Sequence, residues 1–232
     1  MGKDVIIACD FSSKAKTIEF LDKFVDEKPF VKIGMELYYA EGPDIVREIK
    51  NRGHKIFLDL KLHDIPNTVK KAMKVLSMLD VDMCNLHAAG TSEMMKAAIE
   101  GLTRDDGTRP ILLAVTQLTS TSEERMNKEL LINGNISDVV LSYAKNAADS
   151  GLDGVVCSPL EAPVVHDKCG IQFITVTPGV RFADGDIGDQ VRVTTPEKAN
   201  ELGSDYIVVG RPITAAEDPV AAYRRCVAEF VK

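Results

Sequence analysis

Apolar and polar positions along this chain alternate between two patterns. Short apolar runs such as Val5-Ile6-Ile7-Ala8 and Ile111-Leu112-Leu113-Ala114-Val115 have the length of buried strands. We read strands at 5–8, 31–35, 55–60, 83–87, 111–117, 154–157, 173–176 and 206–209. The segments between them carry helical spacing. Ile18, Leu21 and Val25 form one apolar stripe, Ile45 and Ile49 with Val46 a second, and Val69, Met73, Leu76 and Leu79 a third. Gly53, Gly151 and Gly203 fall where helices should end before the next strand. Eight successive strand-helix units in 232 residues predict an α/β fold, a single (β/α)8 TIM barrel spanning residues 1–232. The competing architecture is an open doubly wound sheet. No G-x-G-x-x-G follows a strand, so nothing favours its dinucleotide-binding form. Two polar stretches, 119–134 and 182–189, read as long loops that follow strands, on the face where barrel active sites are built.

The third strand carries the strongest chemical signal. In Lys55-Ile56-Phe57-Leu58-Asp59-Leu60-Lys61-Leu62, a period of two puts Ile56, Leu58, Leu60 and Leu62 on one face. Phe57, Asp59 and Lys61 share the other. An aliphatic face of this kind suits a strand covered by helices, so the opposite face is interior as well. Charges there are costly unless paired, and they tend to mark function. Asp64 lies just past the strand, and Pro66 suits the first turn of the next helix.

Other strand ends extend the pattern. The first ends in Asp10, the second carries Lys32, and the fourth offers His87. The fifth leads into Gln117-Leu118-Thr119-Ser120, the seventh into Thr177-Pro178-Gly179-Val180-Arg181, and the eighth into Gly210-Arg211-Pro212. Loops after strands seven and eight are the usual barrel phosphate site, and Arg181, Gly210 and Arg211 suit one. Asp10, Lys32, Asp59 and Lys61 could form an alternating charge array in which each ion neutralises its neighbours. Three chemistries fit such an array: an ammonium acting as general acid, a Schiff-base lysine, or a Mg2+ site on Asp59 with Lys61 as helper. Flanking carboxylates favour the charged amine and so disfavour the Schiff base.

Composition narrows the partners. A net charge of −7 argues against a general nucleic-acid or anionic-membrane binder. Four His without a metal-binding spacing make a dedicated zinc site an unsuitable reading. Five Cys form no C-x-x-C pair, and Cys9, Cys84 and Cys157 lie in apolar runs. These read as buried thiols in a reducing cytoplasm. No run of ~20 apolar residues occurs, so neither a signal peptide nor a membrane span is expected.

The motifs together resemble the bacterial type of orotidine 5′-phosphate decarboxylase. The resemblance runs from Ala8-Cys9-Asp10 and Phe30-Val31-Lys32-Ile33-Gly34 through Asp59-x-Lys61-x-x-Asp64-Ile65-x-x-Thr68. It continues in residues 115–120, 177–181, 188–190 and 208–213. It implies a homodimer of barrels that uses neither a metal nor an organic cofactor. By the same resemblance, Lys61 delivers a proton to C6 of the pyrimidine, and Asp59 faces the departing carboxylate together with Asp64 of the partner subunit. Asp10 and Lys32 are implied to hold the ribose, Thr68 to reach across the dimer, and Thr119 to meet the pyrimidine edge. Arg181, Gln190, Gly210 and Arg211 are implied for the phosphate, and Ile65 and Pro178 complete the implied binding set. Relatives sharing D-x-K-x-x-D but using Mg2+, the 3-keto-L-gulonate 6-phosphate decarboxylases and hexulose-phosphate synthases, resemble one another in having an acidic residue on strand two, where this chain has Lys32. The other alternative is a catalytically silent nucleotide-binding barrel.

Overall fold

The computed structural model describes residues 3–184 and 193–231. Eight strands, β1 (Asp4–Ala8), β2 (Phe30–Gly34), β3 (Ile56–Leu62), β4 (Met83–His87), β5 (Ile111–Val115), β6 (Gly154–Val156), β7 (Ile174–Thr177) and β8 (Tyr206–Val209), pair in chain order. Every pairing is parallel, and β8 closes on β1. Helices follow each strand: α1 (Lys14–Leu21), α2 (Met35–Glu41), α3 (Pro43–Asn51), α4 (Pro66–Ser77), α5 (Thr91–Leu102), α6 (Glu123–Lys128), α7 (Ile136–Asp149), α8 (Ala162–Cys169), α9 (Pro196–Glu201), α10 (Arg211–Thr214) and α11 (Pro219–Phe230). The (β/α)8 barrel expected from the two periods is therefore the fold. No helix among the described residues is long and apolar enough to cross a membrane.

Strand alternation divides the core in two. Val5, Ile7, Val31, Ile33 and Leu58 point outward into the layer between sheet and helices. Ile6, Ala8, Phe57, Met83, Leu113 and Val208 point inward and fill the barrel. The stripes on α3 and α4 are buried as their spacing requires. Gly53, Gly151 and Gly203 have φ of +87, +90 and +84°, the left-handed conformation that ends a helix. Cys9, Cys84 and Cys157 are buried thiols.

Three expectations need correction. Val25 is 78% exposed, because α1 stops at Leu21 and the phase of its stripe is lost; Phe24 packs inward instead. Met35 begins α2 rather than ending β2. The stretch 119–134 is not all loop. It holds α6, which Ser122 caps by accepting a hydrogen bond from the Arg125 amide at 3.2 Å, while Met126 anchors it in the interior. Of the second expected loop, only residues 182–184 are described, and Gln190 lies outside the described residues.

The N-terminal pole is tied by a device used three times. An aspartate just ahead of an even strand accepts from a backbone N–H at the start of the preceding odd strand. Asp82 takes Ile56 at 2.8 Å, Asp153 takes Leu112 at 2.7 Å, and Asp205 takes Thr175 at 2.8 Å. A cationic or imidazole side chain meets each carboxylate: Lys50, Arg109 and His166 respectively. These acids hold the scaffold at the pole where barrels concentrate stability. The acids at the opposite pole belong to a different arrangement.

Candidate active site

Neighbouring strands bring the charge array together at the C-terminal mouth. Lys32 on β2 is level with Ala8 of β1, and Asp59 on β3 is level with Gly34 of β2. The Lys32 ammonium lies 2.9 Å from Asp10 Oδ1 and 3.3 Å from Asp59 Oδ2. The Lys61 ammonium lies 2.7 Å from Asp59 Oδ1. The order is Asp10, Lys32, Asp59, Lys61, with alternating sign. Lys32 and Asp59 are each only 8% exposed. Isolation there would cost several kcal/mol per ion, and two opposite neighbours apiece offset that cost. Burial pushes the Asp59 carboxyl up, but Lys32 and Lys61, with hydrogen bonds from Lys61 and Asn85, hold it below the usual carboxylate range. Burial likewise pulls Lys32 down, and Asp59 and Asp10 outweigh it, so its ammonium is more firmly protonated than usual. Gly34 makes room for the pair. A Cβ there would sit 2.8 Å from Asp10 Oδ1 and 3.3 Å from Lys32 Nζ.

β3 does not run regularly through the site. Lys61 has φ +52°, a left-handed conformation unfavourable for a residue with a side chain. Between the pairs Leu58–Cys84 and Leu62–Leu86, β3 advances four residues while β4 advances two. The bulge takes the Lys61 N–H out of the ladder. Asn85 supplies its acceptor: Asn85 Oδ1 takes the Lys61 N–H at 2.8 Å, and Asn85 Nδ2 donates to Asp59 Oδ1 at 2.7 Å. The sequence reading singled out His87 on this strand and missed Asn85. The available signal was an amide inside the apolar run Met83-Cys84-Asn85-Leu86, on the inward face it shares with His87. His87 is half-buried, with its ring 5.6 Å from that of His63. Burial, then the nearby His63 and Lys61, pull its pKa down.

Above the array is a cavity of about 280 Å3. Lys32, Asp59 and Lys61 form its polar side, Phe57 and Val208 its apolar side, and Thr119 and Pro178 stand among the residues at its rim. The remaining expected residues are placed differently. Asp64, Ile65 and Thr68 are exposed at the β3–α4 junction, outside the cavity lining. Pro66 opens α4 as expected. Arg181 is half-buried beyond β7, its guanidinium donating to the Val180 carbonyl at 2.8 Å. The Arg181 amide is tied to Thr194 at 2.9 Å. Gly210 and Arg211 follow β8, at the same pole. Among the described residues, the nearest atom to a Cβ built on Gly210 is Ala8 Cβ at 3.6 Å, an ordinary van der Waals contact.

The Asp59–Lys61 ion pair thus stands at the wall of a small cavity, and the segments bearing Arg181 and Arg211 lie at the same pole. Residues 3–226 match the model of the orotidine 5′-phosphate decarboxylase / HUMPS family. Orotidine 5′-phosphate decarboxylases of Bacillus cereus and Bacillus cytotoxicus are each 59% identical over 227 residues, covering 97% of this chain and 95% of theirs. The crystal structure of the orotidine 5′-phosphate decarboxylase of Lactobacillus acidophilus superposes with a TM-score of 0.89 at 44% identity, over 99% of this chain and all of that one. The chain belongs to the orotidine 5′-phosphate decarboxylase / HUMPS family.

Proposed function

We propose that this chain decarboxylates orotidine 5′-monophosphate to uridine 5′-monophosphate in pyrimidine nucleotide synthesis, without metal or organic cofactor. The observation that carries this reading is the Asp10–Lys32–Asp59–Lys61 series at the barrel mouth, in which Lys32 and Asp59 are buried and Lys32, Asp59 and Lys61 line the cavity. Within the family, that series separates the decarboxylase from the Mg2+-using members. Both oxygens of Asp59 are engaged by ammoniums, and Lys32 stands on the strand where those relatives carry an acid. A cation seated between them disfavours a divalent ion by direct repulsion.

In the proposed reaction the bond from C6 to the carboxylate breaks, its electron pair stays on C6, and carbon dioxide leaves. The Lys61 ammonium then transfers a proton to C6, and the resulting amine regains one from solvent. A fixed ammonium also stabilises the developing carbanion before transfer. Asp59 stays ionised because Lys32 and Lys61 hold it so, and it opposes the substrate carboxylate with like charge. Asp64 of the partner subunit joins it in a homodimer whose sites are completed across the interface. The exposure of Asp64, Ile65 and Thr68 supports that arrangement, since these residues need a second surface to act on. Asp10 and Lys32 bind the ribose, Thr119 the pyrimidine edge, and Arg181, Gln190, Gly210 and Arg211 the phosphate. Binding energy from that remote group then drives the chemical step.

The test is the ultraviolet spectrum of orotidine 5′-monophosphate incubated with the protein in EDTA. A steady change to the uridine monophosphate spectrum is expected. No change in EDTA but turnover of a sugar phosphate with Mg2+ would move the chain to the other branch of its family. No change with any of these substrates would leave a nucleotide-binding barrel.

A further inference from the structure

We infer that Asn85 is a positioning residue for the reaction, setting both the carboxylate and the ammonium of the Asp59–Lys61 pair; the catalytic part of this inference rests on the decarboxylase reading. The Asn85 side chain is 1% exposed and makes two bonds of opposite sense. Its amide donates to Asp59 Oδ1 at 2.7 Å, and its carbonyl accepts from the Lys61 backbone at 2.8 Å. Asp59 Oδ1 is also the oxygen that Lys61 Nζ contacts, while Oδ2 faces Lys32. Asn85 therefore fixes the rotation of the carboxylate that sorts the two ammoniums.

The second bond acts on the backbone. At φ +52° Lys61 is in a conformation unfavourable for an L-residue, and the bulge has removed its ladder partner. A buried N–H without an acceptor would add to that cost. Asn85 Oδ1 is the acceptor that makes the bulge tolerable, and the bulge decides where the Lys61 side chain begins. Without it, β3 is free to return to regular pairing, which swings Lys61 away from Asp59. A neutral side chain that carries both a donor and an acceptor meets both needs here. Leucine of similar volume has neither group, and an ionised aspartate would place a second carboxylate against Asp59.

Two variants and two readouts test this. In Asn85→Ala, kcat should fall about 10²- to 10³-fold, since a displacement near 1 Å alone costs about 10²-fold. Affinity for uridine 5′-monophosphate should stay within about threefold, because Asn85 is not among the residues that line the cavity. In Asn85→Asp, the new carboxyl is neutral only when protonated, and then it again pairs a donor with an acceptor. Its kcat should therefore rise relative to wild type as the pH is lowered, a profile that a merely structural role would not produce. The crystal structure of Asn85→Ala, which needs no turnover, should have Lys61 outside the left-handed region and the Lys61–Asp59 contact opened. A kcat within about threefold of wild type, or a Lys61 unmoved in that crystal structure, overturns the inference. If Asn85→Ala fails to fold, Asn85→Asp decides alone: a profile parallel to wild type overturns it. Wild-type protein that leaves orotidine 5′-monophosphate unchanged refutes the decarboxylase reading instead, and the crystallographic readout still decides whether Asn85 positions the pair.

Discussion

The Lys61 ammonium returns to the carboxylate of Asp59, two residues earlier on the same strand, at 2.7 Å. In a regular strand such residues stand roughly 6.6 Å apart along the chain, side by side. Lys61 is also the residue with φ +52°, so backbone strain and the Asp59 contact fall on one residue. Replacing Lys61 separates them. Both Lys61→Ala and Lys61→Gly should lose at least about 10⁴-fold in kcat/KM, the combined scale of a lost proton donor and a lost charge. Only the glycine variant relieves the strain, and it should be more stable than the alanine variant by about 1 kcal/mol in urea unfolding. Residual turnover near the wild-type level in either variant would remove Lys61 from the mechanism.

Gly34 offers a probe of the other end of the array. Its missing Cβ leaves space occupied by Asp10 Oδ1 and Lys32 Nζ. Asp10 is more than half exposed and can move, whereas Lys32 is held between two carboxylates. Gly34→Ala should therefore displace Asp10 and leave the Lys32–Asp59–Lys61 core in place. The expected result is a KM raised about tenfold, equivalent to about 1.4 kcal/mol of lost binding, with kcat little changed. A fall in kcat with constant KM would place Asp10 in the chemical step rather than in binding.

What the sequence disclosed, and what it hid, follows from periodicity. Asp59 and Lys61 were legible because a period of two placed them opposite Leu58 and Leu60, and buried charges are rare enough to stand out. Lys32 and Asp10 were legible by their places on or just past adjacent strands, at the end where barrel sites gather. Asn85 was not, because its importance comes from a bulge in β3, and no hydrophobic pattern records a change of register. An amide in an apolar strand looks like any satisfied polar residue until its two partners are known. Phe24 displaced Val25 because the pattern fixes a helix's phase but not its last residue. Arg181 and Arg211 could be assigned to loops at the correct pole. The loop paths that set the separation of the two guanidiniums are not encoded in side-chain spacing.

Stability should fall with acid in two windows. His54 is 2% exposed, with Nδ1 2.8 Å from the Pro29 carbonyl, to which the neutral ring donates. Burial pulls its pKa below the ordinary value; the Pro29 bond opposes this, and Lys28 and Arg52 add to it. The unfolded chain therefore takes up the proton first. Stability is complete above the ordinary histidine pKa of about 6.5 and declines as the pH falls from there to the folded value. His87 is shifted in the same direction and adds to this window. Asp59 is depressed as an acid, so its contribution is present above about pH 4 and is lost below that. Melting temperatures from pH 8 to pH 5 should fall for the wild type. They should fall less for His54→Asn, which keeps a donor for Pro29 and cannot titrate. Parallel curves would place the first window on other groups.

The position of Asp64 leads to the sharpest test of assembly. Its Oδ1 accepts from the Ile65 amide at 2.7 Å, and the residue is exposed at the start of the segment that leads into α4. In one subunit it is not part of the cavity wall that Asp59 and Lys61 form. If a second copy brings its Asp64 to that wall, Lys61→Ala and Asp64→Ala proteins are each inactive for different reasons. A mixed dimer has one site that lacks both groups and one that has both. Random exchange makes about half of the dimers mixed, so about one quarter of all sites should work. Mixing the two variants at equal concentration should restore turnover toward that fraction, at a rate set by subunit exchange. Recovery should need both proteins and should vanish in the double variant. Exchange confirmed by a mass-tagged subunit, with no recovered activity, would return Asp64 to its own subunit or remove it from the reaction. Only the cross-subunit arrangement turns two dead proteins into a working one, because no property of a single barrel changes on mixing.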